Sequence, residues 1–261
     1  MRRPWLIPIL LLALGTVPVA HPAPAQAAGA KAENGCLACH GSLPPDTRMA
    51  RRHLDFIGSV HDKAGLGCND CHGGDPKQTD KDKAHKGVLP ASDENSRIYF
   101  RNVPRTCGRC HQAQLEAFSK SRHFARLETT GRGPNCVTCH GSMATRILKA
   151  SDVEGFCTVC HNERLGLLPD KPAQAEATLN MMDAVRTLVA WAREMTDAAR
   201  AGGADTKAAE RRLAEASGEL GQAAGAWHTF NLPAVQDHLA KAAAAARATR
   251  AALPPAAPAR R

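Results

Sequence analysis

Ten cysteines and twelve histidines carry the chemistry of this 261-residue chain. Every cysteine belongs to a Cys-x-x-Cys pair, and every pair is followed directly by histidine. The five units are Cys36-Cys39-His40, Cys68-Cys71-His72, Cys107-Cys110-His111, Cys136-Cys139-His140 and Cys157-Cys160-His161. This spacing is the attachment signature of c-type haem. Two thiols three residues apart lie on one side of a helical turn, so both can add to the vinyl groups along one porphyrin edge. The adjacent imidazole then supplies the proximal nitrogen to iron. A disulfide framework has no need of the histidine. Zinc sites pair two Cys-x-x-Cys units, which an odd number cannot satisfy. Redox-active dithiols need a βαβ context that is missing here. The chemistry expected is five covalently bound haem c groups.

A haem with one protein ligand stays open to small molecules, whereas a haem with two is closed and suited to electron transfer. The histidines outside the motifs therefore decide the function. His61 and His123 precede motifs 2 and 4; His85 sits in a Lys- and Asp-rich loop, and His53 follows the basic stretch RMARRH. These four are candidate sixth ligands. The fifth candidate is His228, at the expected end of a C-terminal helix on whose apolar seam Leu213, Leu220, Ala224 and Trp227 recur. His238 reads as surface, and Met49 and Met143 as weaker substitutes. No cluster of catalytic acids and bases stands out.

The elements that must hold these residues are short. From residue 28 to 170 the chain provides roughly thirty residues per haem, too few for each to have its own core, so the porphyrins must share walls. Aromatics are only 4% of the chain, and the haems are expected to supply the missing apolar interior. Gly41, Gly73 and Gly141 follow proximal histidines and suit sharp turns beside a porphyrin. Pro44, Pro45, Pro76, Pro90, Pro104 and Pro134 interrupt the segments between motifs. The expected fold class is mainly α with little regular structure and almost no strand: a multihaem module of short helices and loops around stacked haems. Composition shifts after Pro172. Residues 171–253 read as a three-helix antiparallel bundle, with a stop at Gly202-Gly203 and a restart at Asn231 and Pro233. Residues 254–261 read as a disordered tail.

Residues 1–27 read as a cleaved signal peptide: Arg2 and Arg3, an apolar run from Trp5 to Ala20, and an Ala25-Gln26-Ala27 cleavage site. The expected location is periplasmic or otherwise exported, with membrane association at most peripheral. The formal charge of +9 falls to about +7 when Arg2 and Arg3 leave with the signal; about ten haem propionates, with about one positive charge returned by each oxidised iron centre, then bring the loaded mature protein to roughly +2 oxidised and −3 reduced. Nucleic-acid binding is not expected.

The run SVHDKAGLGCNDCHGGDP, the AHKG that follows, and CGRCHQAQLEAFSKSRH together resemble the multihaem c-type cytochromes of respiratory chains, the group that includes the NapC/NirT-like proteins. The similarity covers about residues 36 to 161. It implies bis-histidine ligation, closely stacked haems, and electron transfer with redox partner proteins, often at the exit of a quinol-oxidising membrane complex. His61, His85 and His123 match distal positions of that pattern; the match extends less clearly to His53 and His228. The chain departs from NapC/NirT proteins in lacking a convincing anchor, and from nitrite reductases in lacking a CxxCK motif. Two other functions stay open: a reductase in which one open-face haem acts on a small nitrogen or sulfur compound, and a subunit of a haem filament.

Overall fold

The computed structural model describes residues 34–254, with the side chains of residues 48–51 outside the description. The signal-peptide reading of residues 1–27, the side chain of Met49, and all of the tail beyond residue 254 therefore lie outside the description. Among those described there are helices and turns and no strand. No described helix is long and apolar enough to cross a membrane.

The motif-bearing part holds ten short α-helices: α1 Gly35–Gly41, α2 Arg48–Phe56, α3 Val60–Lys63, α4 Cys68–His72, α5 Lys81–Ala84, α6 Val103–Gly108, α7 Gln112–Ser119, α8 Arg122–Thr130, α9 Cys136–His140 and α10 Ala150–Cys157. None exceeds nine residues. Motifs 1, 2 and 4 each fill one helical turn, in α1, α4 and α9. Motifs 3 and 5 instead begin at the ends of α6 and α10 and leave the helix. They keep the turn nonetheless, because the His111 N–H donates to the Cys107 carbonyl and the His161 N–H to the Cys157 carbonyl. Gly73 and Gly141 follow motifs 2 and 4 with φ of 83° and 81°, a left-handed exit that a Cβ disfavours. Gly41, by contrast, is the last helical residue of α1.

Caps set where the motif helices start. Asn34 accepts from the Cys36 N–H at 3.0 Å, and Asn135 accepts from Val137 and Thr138, satisfying donors that a helix N-terminus leaves orphaned. Asp70 closes α4 by accepting from the Gly67 N–H at 2.7 Å.

Three long helices follow: α11 Lys171–Ala201, α12 Lys207–Ala226 and α13 Leu232–Ala251. Arg200 meets Glu210 and Arg193 meets Ser217, so α11 and α12 are antiparallel. Gln236 meets Thr178 and Arg250 meets Met195, so α13 returns parallel to α11. Met182, Val185, Val189, Leu213, Val235 and Leu239 form the core with small alanines between them. Full burial of each larger side chain contributes about 1.5–3 kcal/mol. Thr178, Thr196 and Thr249 are buried there too, their hydroxyls donating to the carbonyls four residues earlier. Asn231 caps α13 through the Ala234 N–H, with Pro233 in the first turn. The bundle is not a separate body. Val153 of α10, Ala175 and Leu232 share a second buried cluster that Cys157 and Trp227 pack against.

Candidate functional site: five thiol pairs and crossed histidines

The five motifs lie beside one another in sequence order. Packing of α1 on α4 joins motifs 1 and 2, reinforced by the Gly35 N–H donating to the Pro76 carbonyl. Arg109 donates to the Asp70 carbonyl at 3.3 Å, joining motifs 2 and 3. Helix α6 packs on α9, where the Asn135 side chain donates to the Phe100 carbonyl. Helix α9 in turn packs on α10.

All ten thiols are free. Burial pushes the thiols of Cys36, Cys68, Cys71 and Cys157 up, and that of Cys139 up to about 11. The Cys107 thiol donates to Cys136, which raises Cys107 and lowers Cys136. Redox-active cysteines depend on a depressed thiol pKa, and most of these are shifted the other way. Among the described residues no group of three or more His, Cys, Asp or Glu is arranged to hold a bare metal ion. A haem iron asks less of the protein, only two axial donors.

The histidines meet in pairs. Ring centroids of His40 and His85 lie 6.0 Å apart, those of His61 and His111 6.0 Å, those of His123 and His161 5.9 Å, and those of His140 and His228 6.2 Å. Each pair joins one proximal histidine to one candidate sixth ligand. With about 2 Å for a metal–imidazole bond and about 1 Å from ring nitrogen to ring centre, two imidazoles on opposite sides of one iron place their centroids about 6 Å apart. Rings in direct contact also fall between about 4.5 and 7 Å, so it is the pairing of a proximal histidine with a sixth-ligand candidate, four times over, that fits an iron between them.

His72 and His53 fall outside these four pairs. Both sit by motif 1: the His72 ring is beside His40, and His53 Nε2 lies 3.8 Å from where a Cβ on Gly41 would be. Burial, then the neighbouring imidazole, lowers the pKa of His61, His72, His123 and His228. These four are therefore held in the neutral form that can donate to a metal. His238, expected at the surface, is half-buried, with Nδ1 2.7 Å from Glu219. It is structural.

The other ring nitrogen orients a ligating histidine. His85, His140 and His161 direct Nδ1 at the carbonyls of Lys81, Arg146 and Leu167, at 2.7, 3.0 and 3.0 Å. His61 Nδ1 lies 2.8 Å from the Thr145 hydroxyl. The Nδ1 atoms of His53, His123 and His228 are buried with no hydrogen-bond partner. His123 is held instead by the Phe230 ring, edge-on at 4.4 Å.

Apolar exposure follows the motifs. Among the described residues, ten of thirteen exposed large apolar side chains lie in residues 34–170, among them Ile147, Val159, Leu165 and Leu168. A porphyrin needs an apolar lining of this kind, so thiols, imidazole pairs and exposed apolar surface all fit the haem.

Three residues of the site were missed in the sequence. Asn135 carries a readable signal, an Asn directly before a helical motif. Thr145 and Phe230 carry none, since each acts on a histidine far away in sequence. No protein-family model, curated protein or solved structure matches the chain.

Proposed function

We propose that the chain is an exported pentahaem c-type cytochrome that passes electrons between redox partner proteins. The observation that carries this reading is the set of four histidine pairs with centroids 5.9–6.2 Å apart. Each bound haem supplies an iron that cycles between ferric and ferrous states. The chain's own residues do the rest. The cysteine pairs would fix each porphyrin edge, and the four pairs of proximal and crossed histidines would hold the iron of four haems. Imidazoles on both sides of four of the five haems would leave no site there for a substrate, which favours electron transfer over reduction of a bound molecule. Redox partners, a quinol-oxidising membrane complex among them, belong to the same proposal.

The test is intact-mass measurement of the mature polypeptide together with an EPR spectrum of its ferric form. Five haem masses and low-spin signals are expected. A mass without haem overturns the reading. A reductase is the second reading, and its open haem would belong to motif 2, whose His72 lies outside the four ring pairs. A high-spin ferric signal that disappears when Cys68 and Cys71 are both changed to alanine would establish the open haem on which that reading depends.

A further inference from the structure

We propose that the five haems stand in one unbranched file in the order of their motifs, with motifs 1 and 5 as the two ends and motif 3 in the middle. This rests on the pentahaem reading above and adds the path that electrons take.

The attachment points carry the order. Cys68 has Cys36 as its neighbour, Cys71 has Cys107 and Cys110, Cys107 donates a hydrogen bond to Cys136, and Cys139 has Cys157 and Cys160. Each of these contacts joins a motif to the next in sequence. The other ties agree: the Gly35 N–H to the Pro76 carbonyl, the Arg109 guanidinium to the Asp70 carbonyl, and the packing of α6 on α9 and of α9 on α10. Consecutive haems therefore have their thioether edges together along a spine of sulfur, with the opposite edges turned away from it.

The sixth ligands cross this order and brace it. His85, after motif 2, reaches back to His40, while His61, before motif 2, reaches forward to His111. His123, after motif 3, passes over motif 4 to His161. His228 arrives from the bundle at His140 and also stands beside His111. Thr145, in the loop after motif 4, holds His61 at the third haem. Haems 3 and 4 are thus joined both by their sulfur edges and by their ligands.

Among the four paired haems one is distinguishable in solution, and loss of its signal in His228→Gly assigns it. The planes of His140 and His228 are 23° apart, whereas the other three pairs are tilted by 46–63°. Near-parallel axial imidazoles give a ferric haem a resolved rhombic EPR signal, and strongly tilted ones a broad, highly anisotropic one. The fourth haem is the reporter.

The experiment opens one haem at a time in the haem-loaded protein with His85→Gly, His61→Gly and His123→Gly. Each variant is first confirmed to keep five haems by mass and to bind one equivalent of CO when reduced; failure here counts against the pentahaem ligation and not against the order. A high-spin iron next to the reporter speeds its relaxation. The rhombic signal is expected to broaden and lose amplitude in H61G and H123G and to stay unchanged in H85G. Equal loss in H85G, or no loss in H61G, overturns the file. A second measurement needs no variant. Iron positions from anomalous diffraction of the wild-type holoprotein should form a row in motif order, and a ring or branched cluster would refute it.

Discussion

The Phe230 ring stands edge-on to the His123 imidazole, their centroids 4.4 Å apart with 74° between the planes. Phe230 has φ of 57°, a left-handed conformation costly for a residue with a Cβ. It ends the short 3₁₀ turn Trp227–Thr229 that carries His228, and it also meets Phe118 at 6.3 Å. One bend between α12 and α13 thus sets the imidazoles paired with motifs 4 and 5. Replacing Phe230 with alanine should remove about 0.5–1.5 kcal/mol of ring contact. A small high-spin fraction at one haem is expected, with a lower Tm. Phe230→Gly keeps the favourable backbone and should lose less stability, and a thermal melt of the two variants compares them.

His228→Gly tests the link between bundle and haems. The thioethers remain, so mass should still report five haems while the reduced protein binds one equivalent of CO. Loss of the rhombic EPR signal should accompany it. An unchanged spectrum would mean that His228 is an ordinary buried histidine.

Thr145 is a positioning residue for His61. With iron at Nε2, the His61 Nδ1–H donates to the Thr145 hydroxyl, which raises the electron donation of the ring. Thr145→Val should raise the midpoint potential of one haem and lower stability by about 1 kcal/mol. Thr145→Ser should restore the potential. A spectroelectrochemical titration of both variants separates this role from a purely structural one, which would leave the potential unmoved.

Acid stability should depend on Glu210. The Thr206 hydroxyl donates to its carboxylate at 2.6 Å, and Arg200 adds two further bonds at 3.0 and 2.8 Å. The hydroxyl first, and then the guanidinium, hold its carboxyl below the usual range. The folded state therefore binds this proton less readily than the unfolded chain. Its stabilising contribution is complete above the ordinary carboxylate pKa and is lost as pH falls through the lowered value. Because the group is exposed, the effect is small and weakens in salt. Glu210→Gln should flatten the acid limb of Tm against pH between about pH 5 and pH 3.

Much of the fold was legible locally. The Asn231 cap, Pro233 in the first turn of α13, and the stop at Gly202-Gly203 are near-neighbour signals, and the structure has them. The mainly helical class with no strand among the described residues also followed from composition and proline spacing. The motif helices proved less uniform than their repeated sequence, because motifs 3 and 5 straddle helix ends. Thr145 and Phe230 were invisible, since neither has a periodic or capping pattern that betrays its partner.

The sequence by itself marked the residues that the proposed haem sites draw on: ten thiols, five histidines held beside them by adjacency in the chain, and a handful of histidines left over. Tertiary structure alone decided the partnerships. Proximal histidine and thiols share one helical turn, so four-residue spacing defines them. A sixth ligand must instead approach from the opposite side of a ring about 6 Å away, a distance that many chain paths can bridge. His85 reaches backward, His123 passes over a motif, and His228 comes from the turn between α12 and α13. Packing among the helices selected these routes, and no local pattern encodes that choice.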